Sequence, residues 1–346
     1  RVLNSSGSKT YDANTNAIAS IITLSNLAGG ETLSHSGTAS TSSANAGSYT
    51  INNLSGISIS NGTGTASNYT LIGGTHSFTI AERAISVNGT RLYDATSNAE
   101  ASDLSTQTNL VGSQTLVLSG TGIIASRDVG SNKTVSVGTL TLADGSNGGL
   151  AANYTLSGGT HQLTVTQRPL NSSGSKAYDA NTDALANAIT LSNLAGGETL
   201  VHSGTASTSS ANAGSYTINN LAGIGISNGT GTASNYTLTG GTHSFTINKR
   251  VVSLSGGSRQ YNGSATAIAA DLPTINNLVG SETLTLSGNG VVENANVGDN
   301  KPLTNLSGLT LQNGSNGGLA ANYTLSGGSS IISITPRILS LDGSRV

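Results

Sequence analysis

The sequence has no cysteine, methionine or tryptophan, and only 9% of its residues are charged and 3% aromatic. Without cysteine, neither a disulfide framework nor a thiolate metal site can form. The formal net charge of −2 provides no basic surplus of the kind that nucleic-acid binding requires. No apolar run approaches the roughly 20 residues of a membrane-spanning helix. We therefore expect no nucleic-acid partner and no membrane insertion of this segment.

What the sequence does contain favours a folded β protein. Glycine occupies 46 of the 346 positions, and serine, threonine and asparagine are also abundant. Disordered chains usually have a high net charge and few β-branched residues. Here the charges nearly balance, and short alternating runs of valine, isoleucine and threonine recur. These runs predict strands with one buried and one polar face.

The strongest pattern is a fourfold internal repeat. A tyrosine that follows a basic residue by two positions recurs at spacings of 82, 85 and 83 residues, at Tyr11, Tyr93, Tyr178 and Tyr261. Each repeat later contains Asn-Tyr-Thr-Leu, which begins at Asn68, Asn153, Asn235 and Asn322. A segment of the type NLAGGETL stands between the two motifs and begins at Asn26, Asn109, Asn193 and Asn277. A period of this size indicates tandem modules.

Arginines mark the limits of the repeats and predict modules one to four, at residues 1–82, 83–167, 168–249 and 250–336. Leu3–Asn14 returns almost letter for letter at Leu170–Asn181, so modules one and three form one type (A) and modules two and four another (B).

The last ten residues, 337–346, are similar to residues 83–92. Leu339 and Leu341 take the places of the alternating pair that opens module two, and Arg345 takes the place of Arg91. We expect a fifth module to begin here and the parent protein to continue with a further tyrosine motif.

Individual strands can be predicted from alternation. His76, Phe78 and Ile80 occupy every second position before one boundary, as do His161, Leu163 and Val165 before the next. Shorter alternating pairs follow the boundaries, at Ile85 and Val87 and at Val252 and Leu254. The tyrosines of Asn-Tyr-Thr-Leu are predicted core residues.

Loops and helices are less well marked. Asparagine–glycine pairs favour turns with positive φ, and we predict such turns at Asn61-Gly62, Asn88-Gly89 and Asn228-Gly229. A short helix is an alternative for Asn98–Ser105.

The fold class predicted is all-β, with separate sandwich-like modules. The alternative is a parallel β-helix, but that architecture has a rung period of roughly 20–29 residues, and no such short period is visible. If each module is about 35 Å long, from strands of about ten residues, four modules in line form a rod of roughly 140 Å.

No catalytic, cofactor-binding or metal-binding residue can be assigned, and we expect no enzymatic activity and no cofactor. The five histidines (His35, His76, His161, His202 and His243) are too few for a zinc site, and we expect the three on apolar strand faces to be hydrogen-bonded core residues. Asp144 is the nearest approach to a calcium loop, but it has one carboxylate, and calcium needs several oxygen ligands. Asp12, Asp94 and Asp179 are expected to cap a turn or to pair with the preceding Lys or Arg.

Together the motifs resemble a known family. Tyr-Asp-Ala at residues 11–13, 93–95 and 178–180, Tyr-Asn-Gly at 261–263, Asn-Tyr-Thr-Leu, and the closing Ile-Thr-Pro-Arg at 334–337 are similar to the YDG and MBG repeats. These repeats occur in large bacterial haemagglutinin-like adhesins, many of them exported by two-partner secretion. The resemblance implies an immunoglobulin-like β module in a stalk, and it implies no catalytic residues.

The function expected is therefore a structural stalk on a bacterial cell surface or in a biofilm matrix. The alternatives are that the repeats themselves bind a glycan or a host protein, or that neighbouring rods associate laterally as a matrix fibre. Expected partners are other repeats of the same chain, neighbouring rods, glycans or a host surface, all extracellular.

Overall fold

The computed structural model describes residues 1–51, 53–218, 220–325, 329–340 and 343. These residues form strands and three-residue 3-10 turns, so the chain is all-β as predicted. The chain divides into two compact units, Arg1–Gln167 and Arg168–Val346, each of which contains one A and one B module.

Module one is built from two small sheets, with strand orders β3-β1-β7-β5 and β2-β4-β6. Its strands are β1 (Asn4–Thr10), β2 (Asn16–Ile18), β3 (Ile22–Ser25), β4 (Leu33–Ser40), β5 (Gly47–Thr50), β6 (Ile57–Asn61) and β7 (His76–Ala81). Its 3-10 turns are Ala19–Ile21 and Ala66–Asn68.

Module two has a larger sheet because a hairpin joins its two layers. Its strands are β8 (Arg83–Ala84), β9 (Ser86–Leu92), β10 (Asn98–Glu100), β11 (Thr106–Thr108), β12 (Leu116–Ser119), β13 (Thr121–Ile124), β14 (Gly130–Ser136), β15 (Thr141–Asp144), β16 (Tyr154–Thr155) and β17 (Gln162–Thr166). Its 3-10 turns are Ala101–Asp103 and Ala151–Asn153. The β13–β14 hairpin completes a sheet of order β10-β13-β14-β17-β9-β11, beside the pairs β12-β15 and β16-β8.

Module three repeats module one. Its strands are β18 (Arg168–Pro169), β19 (Asn171–Ala177), β20 (Asp183–Leu185), β21 (Ile189–Ser192), β22 (Leu200–Ser207), β23 (Gly214–Thr217), β24 (Ile224–Asn228), β25 (Tyr236–Thr237) and β26 (His243–Asn248). Its 3-10 turns are Ala186–Ala188 and Ala233–Asn235. The sheet orders are β21-β19-β26-β23, β20-β22-β24 and β18-β25.

Module four repeats module two, with the first long strand divided. Its strands are β27 (Arg250–Val251), β28 (Ser253–Ser255), β29 (Gly257–Gln260), β30 (Thr266–Ile268), β31 (Thr274–Asn276), β32 (Leu284–Val292), β33 (Gly298–Asn305), β34 (Leu309–Asn313), β35 (Tyr323–Thr324) and β36 (Ile331–Thr335). Its 3-10 turns are Ala269–Asp271 and Ala320–Asn322. The large sheet has the order β29-β36-β33-β32-β30, with β34 on β32, and the pairs β28-β31 and β27-β35 complete the module.

One pairing closes every module. An early strand lies parallel to the last strand, which brings the two ends of the repeat together: β1 with β7, β9 with β17, β19 with β26 and β29 with β36. The last strand also pairs antiparallel with a middle strand, as β7 does with β5. Antiparallel neighbours of this kind do not occur between the stacked rungs of a parallel β-helix, so that alternative is wrong.

The predicted core strands are confirmed. In β7, His76, Phe78 and Ile80 are buried and the residues between them are exposed. Ile85 and Val87 are fully buried, as are Val252 and Leu254. The four tyrosines of Asn-Tyr-Thr-Leu are 8%, 3%, 2% and 2% exposed, at Tyr69, Tyr154, Tyr236 and Tyr323.

A glycine lies at the same place in the first long strand or strand pair of each module, where another backbone approaches. A Cβ on Gly89 would lie 1.6 Å from the carbonyl oxygen of Asp103, and one on Gly174 would lie 2.2 Å from that of Ala188. Gly7 and Gly257 meet equivalent carbonyls at 2.5 and 1.7 Å. Only glycine allows this contact between the strand and the 3-10 turn that crosses it.

The asparagine–glycine turns with positive φ are not found at the predicted positions. Asn88-Gly89 is not a turn but lies inside β9, where Gly89 serves the close approach just described. Asn61-Gly62 and Asn228-Gly229 do follow strands, but their φ angles lie outside the left-handed region. The segment Asn98–Ser105 forms strand β10 and a single 3-10 turn in place of a helix, because Asn98–Glu100 pairs with β13.

The predicted start of a fifth module is only partly described. Ile338 and Leu339 are 82% and 86% exposed, while Leu341 and Arg345 lie outside the described residues. No helix in the described part of the chain has the length and apolar character needed to cross a membrane.

Candidate joint between modules

In the first unit, the repeated motifs of modules one and two meet at a buried joint. The ring of Tyr11 from module one packs edge-on against Tyr154 of module two, with centroids 5.3 Å apart and planes at 77°. The Gln114 amide donates to the Tyr11 hydroxyl at 2.9 Å. The Tyr154 hydroxyl donates in turn to the Gln114 carbonyl oxygen and accepts from the backbone N–H of Val111. Each polar group at this apolar contact therefore has a partner.

Asn153 forms a second polar link across the same joint. Its side chain is 0% exposed. The Oδ1 atom accepts from the backbone N–H of Ala46 at 2.8 Å, and the Nδ2 group donates to Oδ1 of Asn45 at 3.1 Å. One carboxamide thus uses both its donor and its acceptor on the neighbouring module, which fixes the position of one module on the other.

The boundary arginine completes the joint. Arg83 donates through Nε and Nη2 to the backbone and side-chain oxygens of Asn109, both at 2.7 Å. Its Nη1 reaches back to the carbonyl oxygen of Tyr11 at 3.3 Å. Asn109 holds a left-handed φ of 70°, a conformation that asparagine tolerates better than most residues. The arginine therefore connects three segments of the two modules.

The second unit contains the same joint with one substitution. Tyr178 packs against Tyr323 at 5.3 Å and 77°, and Asn322 bonds the backbone of Ala213 and the side chain of Asn212 at 2.8 and 3.0 Å. Glu282 stands where the first unit has a glutamine. Its two carboxylate oxygens accept from the Tyr178 and Tyr323 hydroxyls at 2.7 and 2.6 Å.

The carboxylate changes the electrostatics of this joint. Burial, together with hydrogen bonds to Glu282, raises the pKa of Tyr178 and of Tyr323 to about 12. Ionisation of either tyrosine would place a second negative charge beside Glu282 in a poorly solvated site. In the first unit burial also raises the pKa of Tyr154, but the neutral Gln114 adds no charge there.

The turn that carries the joint tyrosine is held by the predicted ion pair. Lys9 contacts Asp12 at 2.8 Å, and Lys176 contacts Asp179 at the same distance. Burial alone would raise the pKa of Asp12, but hydrogen bonds from Lys9 and from the backbone of Asn14 lower it. Asp12 and its equivalents therefore both cap the turn and pair with the preceding cation.

The histidines on the apolar strand faces are hydrogen-bonded core residues, as predicted. His76 contacts the Ser5 hydroxyl at 2.9 Å and the Leu71 carbonyl oxygen at 2.8 Å. His243 makes the same two contacts, with the Ser172 hydroxyl and the Leu238 carbonyl oxygen. His161 instead accepts from the backbone N–H of Val87 and contacts the Leu156 carbonyl oxygen. Asp144 accepts from the backbone N–H of Ala151 at 2.7 Å and so caps a 3-10 turn. Across the described residues, no three His, Asp or Glu side chains gather as a metal site.

Shallow grooves open at matching positions of the modules, beside the Asn-Tyr-Thr-Leu loop. In module two the groove is lined by Leu140, Tyr154 and Leu156, and in module four by Leu309, Tyr323 and Leu325. The lining residues of these two grooves and of those in modules one and three include no carboxylate, lysine or arginine.

Sequence reasoning located the motif residues but did not bring them together. Tyr11 and Gln114 lie 103 positions apart. The sequence predicts a core position for Tyr154 and a module boundary at Arg83, but no contact between these residues and Tyr11 or Gln114. A usable signal was present, because a Glu or Gln occurs at one fixed place of each repeat, at Glu31, Gln114, Glu198 and Glu282. A Glu or Gln that recurs at one position of every repeat indicates a specific contact.

These features define a tandem-repeat, all-β protein whose repeated motifs connect its modules. The sequence-family model of the YDG domain matches four consecutive segments, at residues 2–77, 79–162, 160–244 and 248–330. The chain therefore belongs to the YDG domain family. No curated protein matches it significantly.

Proposed function

We propose that this chain is a structural stalk segment of a bacterial cell-surface or biofilm-matrix adhesin and that it spaces a distal binding region from the surface. The observation that carries the proposal is the use of the repeated motif residues. In each unit three motif residues connect one module to the next. They are Tyr11, Arg83 and Asn153 in the first unit and Tyr178, Arg250 and Asn322 in the second. A connector needs these residues in every repeat, whereas a catalytic site needs them only once.

The proposed architecture is a rod of immunoglobulin-like β-sandwich modules. Contacts limited to neighbouring repeats produce a quasi-one-dimensional body, and the joint described above fixes the orientation within each unit. A rigid joint suits a spacer, because a flexible one would let the chain collapse and shorten its reach.

The location and chemistry proposed are extracellular and non-enzymatic. The support is the family resemblance, and the lack of cysteine and the nearly neutral composition with 9% charged residues are compatible with export. Within the two joints, the motif tyrosines, asparagines and arginines all have hydrogen-bond partners. The proposed partners are other repeats of the same chain and neighbouring rods.

Small-angle X-ray scattering of the full chain tests the architecture. A rod of roughly 140 Å, built from strand lengths as above, has a radius of gyration of about 40 Å. A single compact globule of this length has about 20 Å. A value near 20 Å contradicts the rod.

Replacement in the parent adhesin tests the role. Residues 1–346 are exchanged for an unrelated rigid array of matched length, and cell adhesion is measured. Restored adhesion is expected of a spacer. Loss of adhesion despite normal display would instead show that the modules themselves bind.

A further inference from the structure

The chain passes into and out of each module through a pair of parallel strands. In module three it enters through β19 and leaves through β26, and six consecutive residue pairs join the two strands, beginning with Ser172 and His243. In module two β9 and β17 are joined by five such pairs. Because parallel strands run in the same direction, the chain enters at one end of the pair and leaves at the other. Tension along the chain therefore pulls the two strands past each other.

The direction of loading decides how the hydrogen bonds between two strands fail. When the strands are pulled past each other, all of these bonds carry the load together and must fail together. When the strands are pulled apart from a shared end, as in a hairpin, the bonds fail one after another. Forced unfolding is governed by the unfolding rate and hence by the barrier, so the first arrangement resists the larger force.

The parallel pair of module three, Asn171–Ala177 with His243–Asn248, lies inside its sheet. Strands β21 and β23 pair with its two outer sides, so neither strand presents the row of unpaired backbone groups that an edge strand has. The pairs of modules one and two are internal in the same way. Backbone bonds fix both ends: Ser172 donates to the carbonyl oxygen of Thr242, and Tyr178 donates to that of Asn248, both at 2.9 Å.

Side chains connect the same two strands. His243 Nε2 lies 2.8 Å from the carbonyl oxygen of Leu238, so this nitrogen carries the hydrogen, and Nδ1 accepts from the Ser172 hydroxyl at 2.9 Å. Both side chains are buried. The Asn171 Oδ1 atom accepts from the backbone N–H of Thr242 at 2.9 Å. Sliding of the strands would break these bonds together with the backbone bonds.

We propose that the parallel pair of each module is a mechanical clamp, which makes the module resist tension along the chain. The pairing recurs in all four modules, as β1 with β7, β9 with β17, β19 with β26 and β29 with β36. The use of this resistance in a stalk rests on the proposed function. The resistance itself belongs to the module, so a failure of either proposal leaves the other standing.

Single-molecule stretching of the full chain in two loading directions tests the clamp. The chain has no native cysteine, so two introduced cysteines determine where the handles attach and confine the load to module three. Ser173→Cys with Lys249→Cys pulls the two strands past each other, whereas Ala177→Cys with Lys249→Cys pulls them apart from one end. All three positions are exposed.

We expect the second direction to unfold module three at about half the force of the first or less, because its hydrogen bonds fail in turn. The two chains keep the same fold, so a difference in force reports the direction of loading. Equal forces in the two directions overturn the proposal.

Two matched proline variants, stretched with the Ser173→Cys and Lys249→Cys handles, test whether the resistance lies in the clamp. Ser172→Pro removes the N–H that donates to Thr242, and Thr208→Pro, outside the clamp, removes an N–H that donates to Thr182 at the same distance of 2.9 Å. Each change also deletes a buried hydroxyl.

We expect Ser172→Pro to lower the unfolding force and Thr208→Pro to leave it nearly unchanged. An equal loss of force in both variants contradicts the clamp, because it shows that the force follows the stability of the module as a whole. If Ser172→Pro does not fold, the comparison of the two loading directions still decides, since both of its chains keep the backbone bonds of the clamp.

Discussion

At the scale of single residues, the third position of the tyrosine motif has an unusual backbone. Ala13, Ala95 and Ala180 hold left-handed φ angles of 62°, 66° and 62°, and Gly263 holds 78° at the same place in module four. A left-handed conformation costs a residue with a Cβ about 1–2 kcal/mol. Glycine suits this position because the turn that carries the joint tyrosine requires a left-handed φ here.

We therefore predict that Ala180→Gly stabilises the protein. The relief of backbone strain exceeds the entropy that glycine adds to the unfolded chain, and a net gain of about 0.5–1 kcal/mol is expected. Differential scanning calorimetry should show a rise of a few degrees in the transition of the unit that contains this module. The control is Ala222→Gly in the same module, where φ is not left-handed, and it should lower the transition. Equal destabilisation by both changes would contradict the strain argument.

The shared carboxylate of the second unit leads to a prediction for alkaline pH. The pKa of Tyr178 and Tyr323 is about 12 in the folded chain, against about 10 in an unfolded one. A pKa that rises on folding means that the folded state favours the protonated tyrosine. The resulting contribution to folding stability is complete below pH 10 and is lost as the pH rises towards 12.

Ultraviolet titration of the tyrosines should therefore show two that ionise near pH 12 in the wild type. In Glu282→Gln, which copies the residue at Gln114, both should ionise at lower pH because the neighbouring charge is gone. An unchanged titration curve would show that Glu282 does not control these two groups.

At the scale of elements, the sequence could predict what depends on adjacent residues. Alternation marked β7 because the face of each side chain follows from its position in the strand. It could not predict the parallel pairing of β1 with β7, which joins Ser5 to His76 across the whole module. The prediction of a turn at Asn88-Gly89 is wrong for the same reason: the carbonyl oxygen that requires Gly89 belongs to Asp103 on another segment.

The close approach at these glycines leads to the next prediction. Gly174→Ala places a Cβ 2.2 Å from the carbonyl oxygen of Ala188, which forces the 3-10 turn away from the strand. We expect a loss of about 1–3 kcal/mol, as for other overpacked sites.

The matched control lies in the same module. A Cβ on Gly225, in β24, meets only the Ser203 hydroxyl at 3.9 Å. Gly225→Ala should be neutral or slightly stabilising, because alanine restricts the unfolded chain. Urea unfolding monitored by circular dichroism compares the two variants. Similar midpoints for both would show that the turn moves aside without cost.

At the scale of the whole molecule, the core of the second unit is continuous across its two modules. The buried apolar residues of the second unit form one cluster that includes Phe245 of module three and Tyr323 of module four. A joint that is continuous with the core couples the stability of its two modules, as nearest-neighbour interfaces do in other repeat proteins.

The asparagine of Asn-Tyr-Thr-Leu tests this coupling, because one motif position occurs in two environments. Asn153 and Asn322 are 0% exposed and each bonds the neighbouring module twice, while Asn68 is exposed on the outer face of module one. Asn153→Ala and Asn322→Ala leave a partly buried backbone N–H without its acceptor, which costs about 1–3 kcal/mol each. Asn68→Ala removes no hydrogen bond to a neighbouring module and should change the free energy of unfolding by less than about 0.5 kcal/mol. Calorimetry measures the stability of all three variants. The two buried-site variants should also broaden the transition or divide it, because the modules on either side of the joint then unfold separately. If Asn68→Ala destabilises the chain as much as the other two, the asparagine acts inside its own module and the joint does not couple the repeats.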